Sequence, residues 1–337
     1  MICLSCRGVV RSRRRRGFAL LVVLLAVVLL SVALAGYTMK TTFAHQLARS
    51  RAGTWKLLFA ARAAVEESKA RLHREAYDQT DANGVPTLES LPVMSGLFRI
   101  GQAEEHHAIY VAPERATLYL EGVEVTVRFE DEAGKLPVNA LAAAEGRSRS
   151  MAISMARLFD IIGLRNSTML ASSVRDYIDP ERDSAREPGD RKGAIYHISE
   201  LATVRGFDAN LLFVPSREGM PAAADCLSTW HVGHVNINSA QESVLAALAP
   251  RLTRGEIAEI ITQRAERPFS SAEDFAERVS VQHDAQAQLR ELGGFTTDTF
   301  TLYVEARWAG YIRRVKAVVW IQPEGAYTLY FGEGWDY

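Results

Sequence analysis

The densest run of oxygen ligands in this 337-residue chain is Asp176-Tyr177-Ile178-Asp179-Pro180-Glu181-Arg182-Asp183-Ser184-Ala185-Arg186-Glu187-Pro188-Gly189-Asp190. Six acids in fifteen residues, Asp176, Asp179, Glu181, Asp183, Glu187 and Asp190, could surround calcium, which takes about six to eight oxygens in flexible geometry. No EF-hand spacing is present, and Arg182, Arg186 and Arg191 interleave the acids, which equally suits a solvated salt-bridged loop. Cys3-x-x-Cys6 has no two further zinc ligands at suitable spacing. His231-x-x-His234 is flanked by Gly233 and Val235, the signature of a loop entering an extended segment. Cys226, beside Leu227 and near Trp230, reads as a small buried residue. Neither a Gly-x-Ser-x-Gly elbow, a phosphate loop nor a metalloprotease pattern occurs, so the sequence predicts no enzyme.

An anchor must carry these residues. Arg13 to Arg16 precede an uncharged apolar run from Phe18 to Tyr37. Twenty residues at about 1.5 Å each make about 30 Å of helix, the hydrocarbon thickness of a bilayer. Arginines 7, 11 and 13 to 16 lie before the run and only Lys40 follows it closely, so the basic bias holds the N-terminus in the cytoplasm. Ala33-Leu34-Ala35 before Gly36 also fits an ordinary secretory cleavage site. Residues 1 to 65 carry eleven basic and no acidic side chains. Beyond them stand 28 basic and 40 acidic ones, a formal net charge of −12 that disfavours generic binding to nucleic-acid phosphates.

Helical periodicity continues past the span through Leu47, Trp55, Leu58, Phe59, Val65 and Leu72, with Gly53 the expected bend and Asn83-Gly84-Val85-Pro86 the expected stop. Alternation then predicts strands over 97–100, 109–111 and 123–129. Asp131-Glu132-Ala133-Gly134-Lys135-Leu136-Pro137-Val138-Asn139 is expected to form a hairpin turning at Ala-Gly. Helices follow over 151–162 and 168–178. Ser239 with Glu242 and Thr253 with Glu256 have capping-box spacing, and Pro268 to Phe275 marks a third helix start. Alternation from Phe300 to Trp308, an Ala309-Gly310 turn and Tyr311 to Ile321 predict closing strands, while residues 332–337 carry no readable motif.

A basic leader ending in Gly17-Phe18 before a long aliphatic helix resembles the signal of type IV pilins and pseudopilins. That resemblance implies cleavage between Gly17 and Phe18 by a prepilin peptidase, with methylation of the new Phe18 amine. Most of that superfamily has Glu at the fifth mature position, where this chain has Val22. Asp131-Glu132-x-Gly134-Lys135, Asp176-Tyr177-Ile178-Asp179-Pro180, Glu200-Leu201 with Val204-Arg205-Gly206-Phe207-Asp208, and Asn236-x-Asn238-Ser239-Ala240 resemble the type II secretion minor pseudopilin K family, which characteristically lacks that Glu.

The family implies an α+β fold: a pilin-like N-terminal helix on a small antiparallel sheet, with a large all-α insertion containing a helix-hairpin-helix or SAM-like module. The expected division is leader 1–17, membrane half of the helix 18–37, pilin-like part 38–140, helical insertion 141–292, and closing strands with tail 293–337. Family members can bind calcium in the inserted domain, although the acidic loop here is shorter than usual and lacks the common Gly-Ala-Glu-Asp continuation. The resemblance further implies a single-pass inner-membrane protein with a periplasmic C-terminal domain. Its expected place is the pseudopilus tip, with minor pseudopilins I and J, other pseudopilins and the inner-membrane secretion platform as partners. The rival expectations are a type IV pilus or competence minor pilin and an exported helix-hairpin-helix DNA-binding protein. In the latter a Gly-x-Gly turn would bind phosphate, but Ala249-Pro250 interrupts where the glycines should stand.

Overall fold

The computed structural model describes residues 14–77, 100–102, 107–109, 115–143, 145–178 and 193–334. The described chain divides into two compact units at Lys56 and Leu57.

Helix α1 (Arg14–Tyr77) runs through Gly53 without interruption. In the first unit the apolar side chains from Phe18 to Leu34 are exposed, and their stretch is long and apolar enough to cross a membrane. The few polar side chains there close on the helix itself: Ser31 Oγ donates to Val27 O at 2.8 Å and Thr38 Oγ1 to Ala35 O at 2.9 Å. Such back-bonding lets a hydroxyl sit in a nonpolar medium without an unsatisfied group.

The second unit begins at Leu57. The C-terminal part of α1 buries Leu57, Leu58, Ala61, Ala64, Val65, Leu72 and Ala76, a stripe at helical spacing. Leu58, Val65 and Leu72 of the expected face are therefore core residues, while Leu47, Trp55 and Phe59 stay exposed. The stripe packs on a five-stranded antiparallel sheet, in the same hydrophobic cluster as its inner face.

Two short strands, β1 (Ile100–Gln102) and β2 (His107–Ile109), form a separate pair. The main sheet opens with β3 (Arg115–Leu120), which the pattern of residues did not signal, and β4 (Val123–Asp131). Period-two alternation places Val123, Val125, Val127 and Phe129 on the inner face of β4.

The chain then leaves the sheet. The expected hairpin over 131–139 does not form. Residues Glu132–Gly134 make a 3-10 turn, and β5 (Leu136–Pro137) pairs in parallel with a distant strand, β6 (Leu227–Ser228), before a second 3-10 segment at Val138–Ala142. Helices α2 (Glu145–Ile161) and α3 (Ser167–Ile178) agree with expectation to within a turn except at the start of α2, which begins six residues earlier. After a 3-10 segment at Ile198–Thr203 come the short helices α4 (Ala209–Phe213) and α5 (Ala223–Cys226), which runs into β6. Next stands β7 (Val235–Asn236).

Helices α6 (Glu242–Leu248), α7 (Arg254–Glu266), α8 (Ala272–Arg278) and α9 (His283–Leu292) follow, and β8 (Gly293–Gly294) pairs in parallel with β7. Their side chains join those of α2 and α3 in a second core around Met155, Phe159, Leu245 and Phe269.

The sheet closes with β9 (Thr299–Trp308), β10 (Tyr311–Gln322) and β11 (Gly325–Glu333), in the order β11-β10-β9-β4-β3. Strand β4 pairs directly with β9, Val127 opposite Val304, so the whole helical segment intervenes between two neighbouring strands. Ala309 (φ 48°) and Gly310 (φ 82°) form the two-residue turn of the β9–β10 hairpin; two positive φ values match the right-handed twist of the strands. Strand β11 takes up part of the tail in which no motif was read.

Leu72 is fully buried between helix and sheet, whereas Tyr119 on edge strand β3 is 75% exposed. Leu72→Ala should cost about 2–5 kcal/mol. Tyr119→Ala should stay within about 0.5 kcal/mol. Urea midpoints of the full chain in detergent measure both.

Candidate functional site

The motifs Asp131-Glu132-x-Gly134-Lys135 and Asn236-x-Asn238-Ser239 lie far apart in the chain but meet in one buried polar seam where β4 leaves the sheet. The last residue of β4, Asp131, is buried, and its carboxylate accepts from Ala133 N and Asn236 Nδ2, both at 2.8 Å. It also accepts from Thr297 Oγ1 at 2.5 Å and from Ser239 Oγ. One carboxylate thereby ties the start of the helical segment to its middle and to its return. Burial pushes the Asp131 carboxyl above its usual range even though four hydrogen bonds favour the ionised form.

Ser239 is the residue that capping-box spacing had placed at the N-cap of α6. Its hydroxyl is taken by Asp131 instead, and α6 begins after Gln241 with no side-chain cap. Gly134 is required by the same approach: a Cβ there would stand 2.7 Å from Ser239 Oγ and 3.1 Å from its carbonyl carbon. The two other expected helix starts are as read, with Thr253 and Glu256 in a reciprocal capping box and Ser271 accepting from Asp274 N.

Beside Asp131 sits an ion cluster. Lys135 Nζ lies 2.8 Å from Glu130 and 3.0 Å from Glu132, and Thr301 Oγ1 donates to Glu132 at 2.6 Å. Burial disfavours both charged forms, but each is outweighed. Lys135 together with hydrogen bonds from Ser228 and Thr301 holds Glu132 below its usual range, and Glu132 and Glu130 hold Lys135 above its own.

Asparagines complete the seam. Asn139 donates to Ile195 O at 2.9 Å and Thr229 O at 2.8 Å while accepting from Ile195 N. Asn238 bridges Phe269 O at 2.9 Å and Phe295 O at 2.8 Å and accepts from Phe269 N. Arg264 of α7 donates to Ile237 O and Ala240 O at 2.6 and 2.7 Å. Side-chain amides supply both donor and acceptor to backbone that has no ladder partner, which is why Asn serves here.

Such saturated groups hold structure. Cys226 is buried, with its thiol pushed up to about 11 chiefly by burial, so it stays protonated. Gly17, Phe18 and Val22 lie in the opening turns of α1; Phe18 is 74% exposed and Val22 47%. Asp176 stands in the last turn of α3. Asp179, Glu181, Asp183, Glu187 and Asp190 lie outside the described residues, and so does the Asn83 to Pro86 stop. Among the described residues no group of three His, Cys, Asp or Glu could hold a metal ion. The turn before α7 is self-capped: Thr253 N and Oγ1 both donate to Glu256 at 2.7 Å.

A long apolar N-terminal helix, a small antiparallel sheet and a helical segment set between two of its strands make an α+β protein. Residues 235–293, which run from β7 through α9 to β8, match the family model of type II secretion system (T2SS), protein K. A chain in the crystal structure of the GspK-GspI-GspJ complex from the enterotoxigenic Escherichia coli type 2 secretion system is similar in fold. The likeness covers 86% of this chain and 99% of that one, with a TM-score of 0.56 and 16% identity. No curated protein matches. The family match lies within the helical segment, and the structural likeness is one of fold.

Lys135→Met strands a buried Glu132 and should cost about 3–5 kcal/mol at neutral pH. Glu132, lowered, stabilises above its ordinary 4.5 and loses this as pH falls through the folded-state value. Lys135, raised, stabilises below its ordinary 10.5 and loses this as pH rises toward the folded-state value. The deficit of Lys135→Met should therefore shrink in acid, where Glu132 becomes neutral, and Glu132→Gln should restore part of it. Chemical denaturation of both variants between pH 4 and 8, a range of about two units either side of 6, measures this.

Proposed function

We propose that this chain is a minor pseudopilin that assembles at the tip of the pseudopilus of a type II protein secretion system, with minor pseudopilins I and J beside it. The match of residues 235–293 to protein K carries the proposal. The solved relative in fold is part of a complex with GspI and GspJ named in it, which supports the choice of partners.

The work is assembly. The span from Phe18 to Tyr37 holds the subunit in the inner membrane, its arginine-flanked N-terminus in the cytoplasm and the remainder in the periplasm. Prepilin peptidase cuts after Gly17, and Phe18 becomes the methylated N-terminus. An ionised carboxylate within the span is costly unless it meets a partner, and in assembling pilins that partner is the neighbouring subunit's N-terminal amine. Val22 offers no such pairing, which suits a subunit with nothing ahead of it. The helical segment, in the manner of a helix-hairpin-helix module used for protein contact, adds bulk and a contact surface at the tip. The calcium reading of the loop from Asp176 to Asp190 rests on its acids alone, and calcium-dependent protection of that loop from proteolysis would support it.

Mass and N-terminal sequencing of the protein from cells with and without active prepilin peptidase test the anchor. The expected result is a peptidase-dependent start at Phe18 carrying one added methyl group. A start at Gly36 would mean an ordinary exported protein and end the proposal. Val22→Glu should leave secretion unimproved; a gain would contradict the tip position.

A further inference from the structure

Helix α1 does not turn polar all round where the uncharged run ends at Tyr37. Met39, Phe43 and Leu47 stay exposed, at 77%, 67% and 42%, and recur every fourth residue. At about 100° per residue they drift only about 80° around the axis, so they make one stripe and not a ring. Val32, exposed in the span, lies in the same sector, which makes the stripe a continuation of the span's surface. The stripe ends where Ser50 and Thr54 take over that sector.

Charges of one sign border it. Lys40 and Arg51 stand about 60° and 80° from the middle of the stripe on one side, and Arg49 about 120° on the other. All three are exposed, and no acidic residue occurs before Glu66. Opposite the stripe, Thr38 Oγ1 donates to Ala35 O and Thr41 Oγ1 to Thr38 O, both at 2.9 Å, so these hydroxyls are satisfied by the helix itself.

Two observations identify what covers this face. The first is continuity: Met39 comes about 3 Å along the axis after Tyr37, so the stripe begins where the span leaves the hydrocarbon. The second is charge: an apolar stripe bordered only by long basic side chains suits acyl chains beneath anionic headgroups, because Lys and Arg stems lie along apolar surface while their charged ends reach phosphate. From Phe18 to Leu47 the helix rises about 45 Å, against about 30 Å of hydrocarbon. Tilting accommodates the excess, and it lowers one face toward the lipid while lifting the opposite face into water.

We propose that Met39, Phe43 and Leu47 are buried in the boundary layer of the leaflet remote from the arginine-rich N-terminus, where Lys40, Arg49 and Arg51 bind the phosphates of anionic phospholipids. This rests on the membrane-anchor reading above. It gives the anchor a one-sided collar that fixes the rotation and tilt of α1 before assembly.

The test uses the full chain in lipid nanodiscs, with Cys3→Ser and Cys6→Ser; Cys226 is fully buried and stays. A nitroxide is attached in turn at Leu24→Cys, Phe43→Cys, Leu47→Cys, Ala48→Cys and Ala52→Cys, and its collisions with a water-soluble nickel chelate are measured. Labels at 24, 43 and 47 should be about fivefold less accessible to nickel than those at 48 and 52. Exchanging phosphatidylcholine for a mixture with about 30% phosphatidylglycerol should deepen the shielding at 43 and 47 about twofold, an effect lost at about 1 M salt. The variant carrying Lys40→Gln, Arg49→Gln and Arg51→Gln should show no such response. Shielding at 24 with 43 and 47 as accessible as 48 would overturn the collar alone and leave this face to a protein partner. Equal shielding at all five positions would make the span longer on every side and equally overturn it. An anionic-lipid response undiminished in the triple variant would overturn the headgroup contact. Nickel access at 24 would instead remove the anchor reading on which the collar rests.

Discussion

The interaction on which the second unit depends is the buried pairing of Lys135 with Glu130 and Glu132, next to the four-fold bonded carboxylate of Asp131. Charges in such a place contribute little by simple attraction, because desolvation consumes most of the Coulombic gain. Their effect is selective. Any other register of the chain leaving β4 would leave a buried charge without its partner, at a cost of about 3–5 kcal/mol, a large part of a domain's stability. The seam therefore determines how the helical segment departs from the sheet.

This matters because the segment interrupts two adjacent strands. Strands β4 and β9 are neighbours in the sheet, yet more than 160 residues separate Asp131 from its cross-strand partner Phe300. Closing so long a loop has an entropic cost that grows only slowly with length, so the insertion is tolerable provided that its two ends are held together. Asp131, Asn236, Ser239 and Thr297 hold them, and Asn238 extends the bond network to Phe269 and Phe295. The helical core around Phe159 and Phe269 can then form as its own cluster, distinct from the cluster between α1 and the sheet.

Helix α1 meets a different constraint at each end. Toward its N-terminus the side chains are apolar on every side and the hydroxyls bond back to their own helix, as a nonpolar surrounding demands. From Leu57 onward only one stripe is apolar, and small residues such as Ala61 and Ala64 let the helix approach the sheet. The change of pattern within one helix separates a stretch long and apolar enough to cross a membrane from one that packs on the sheet.

Local pattern determined much of this by itself. The long helix, the alternation of β4, β9 and β10, the Ala309-Gly310 turn and the Thr253 capping box all depend on residues within a few positions of one another, where sterics and periodicity act directly. Tertiary structure decided the rest. The segment from Asp131 to Asn139 has the composition of a hairpin, but Leu136 and Pro137 find their partner at Leu227 and Ser228, about ninety residues away. Ser239 has the spacing of a helix cap, but its hydroxyl donates to a buried carboxylate more than a hundred residues earlier, and α6 begins after Gln241 instead. Short-range preferences are readable from neighbours in sequence, whereas the destination of a buried polar group is settled by whichever distant partner satisfies it once water has been excluded.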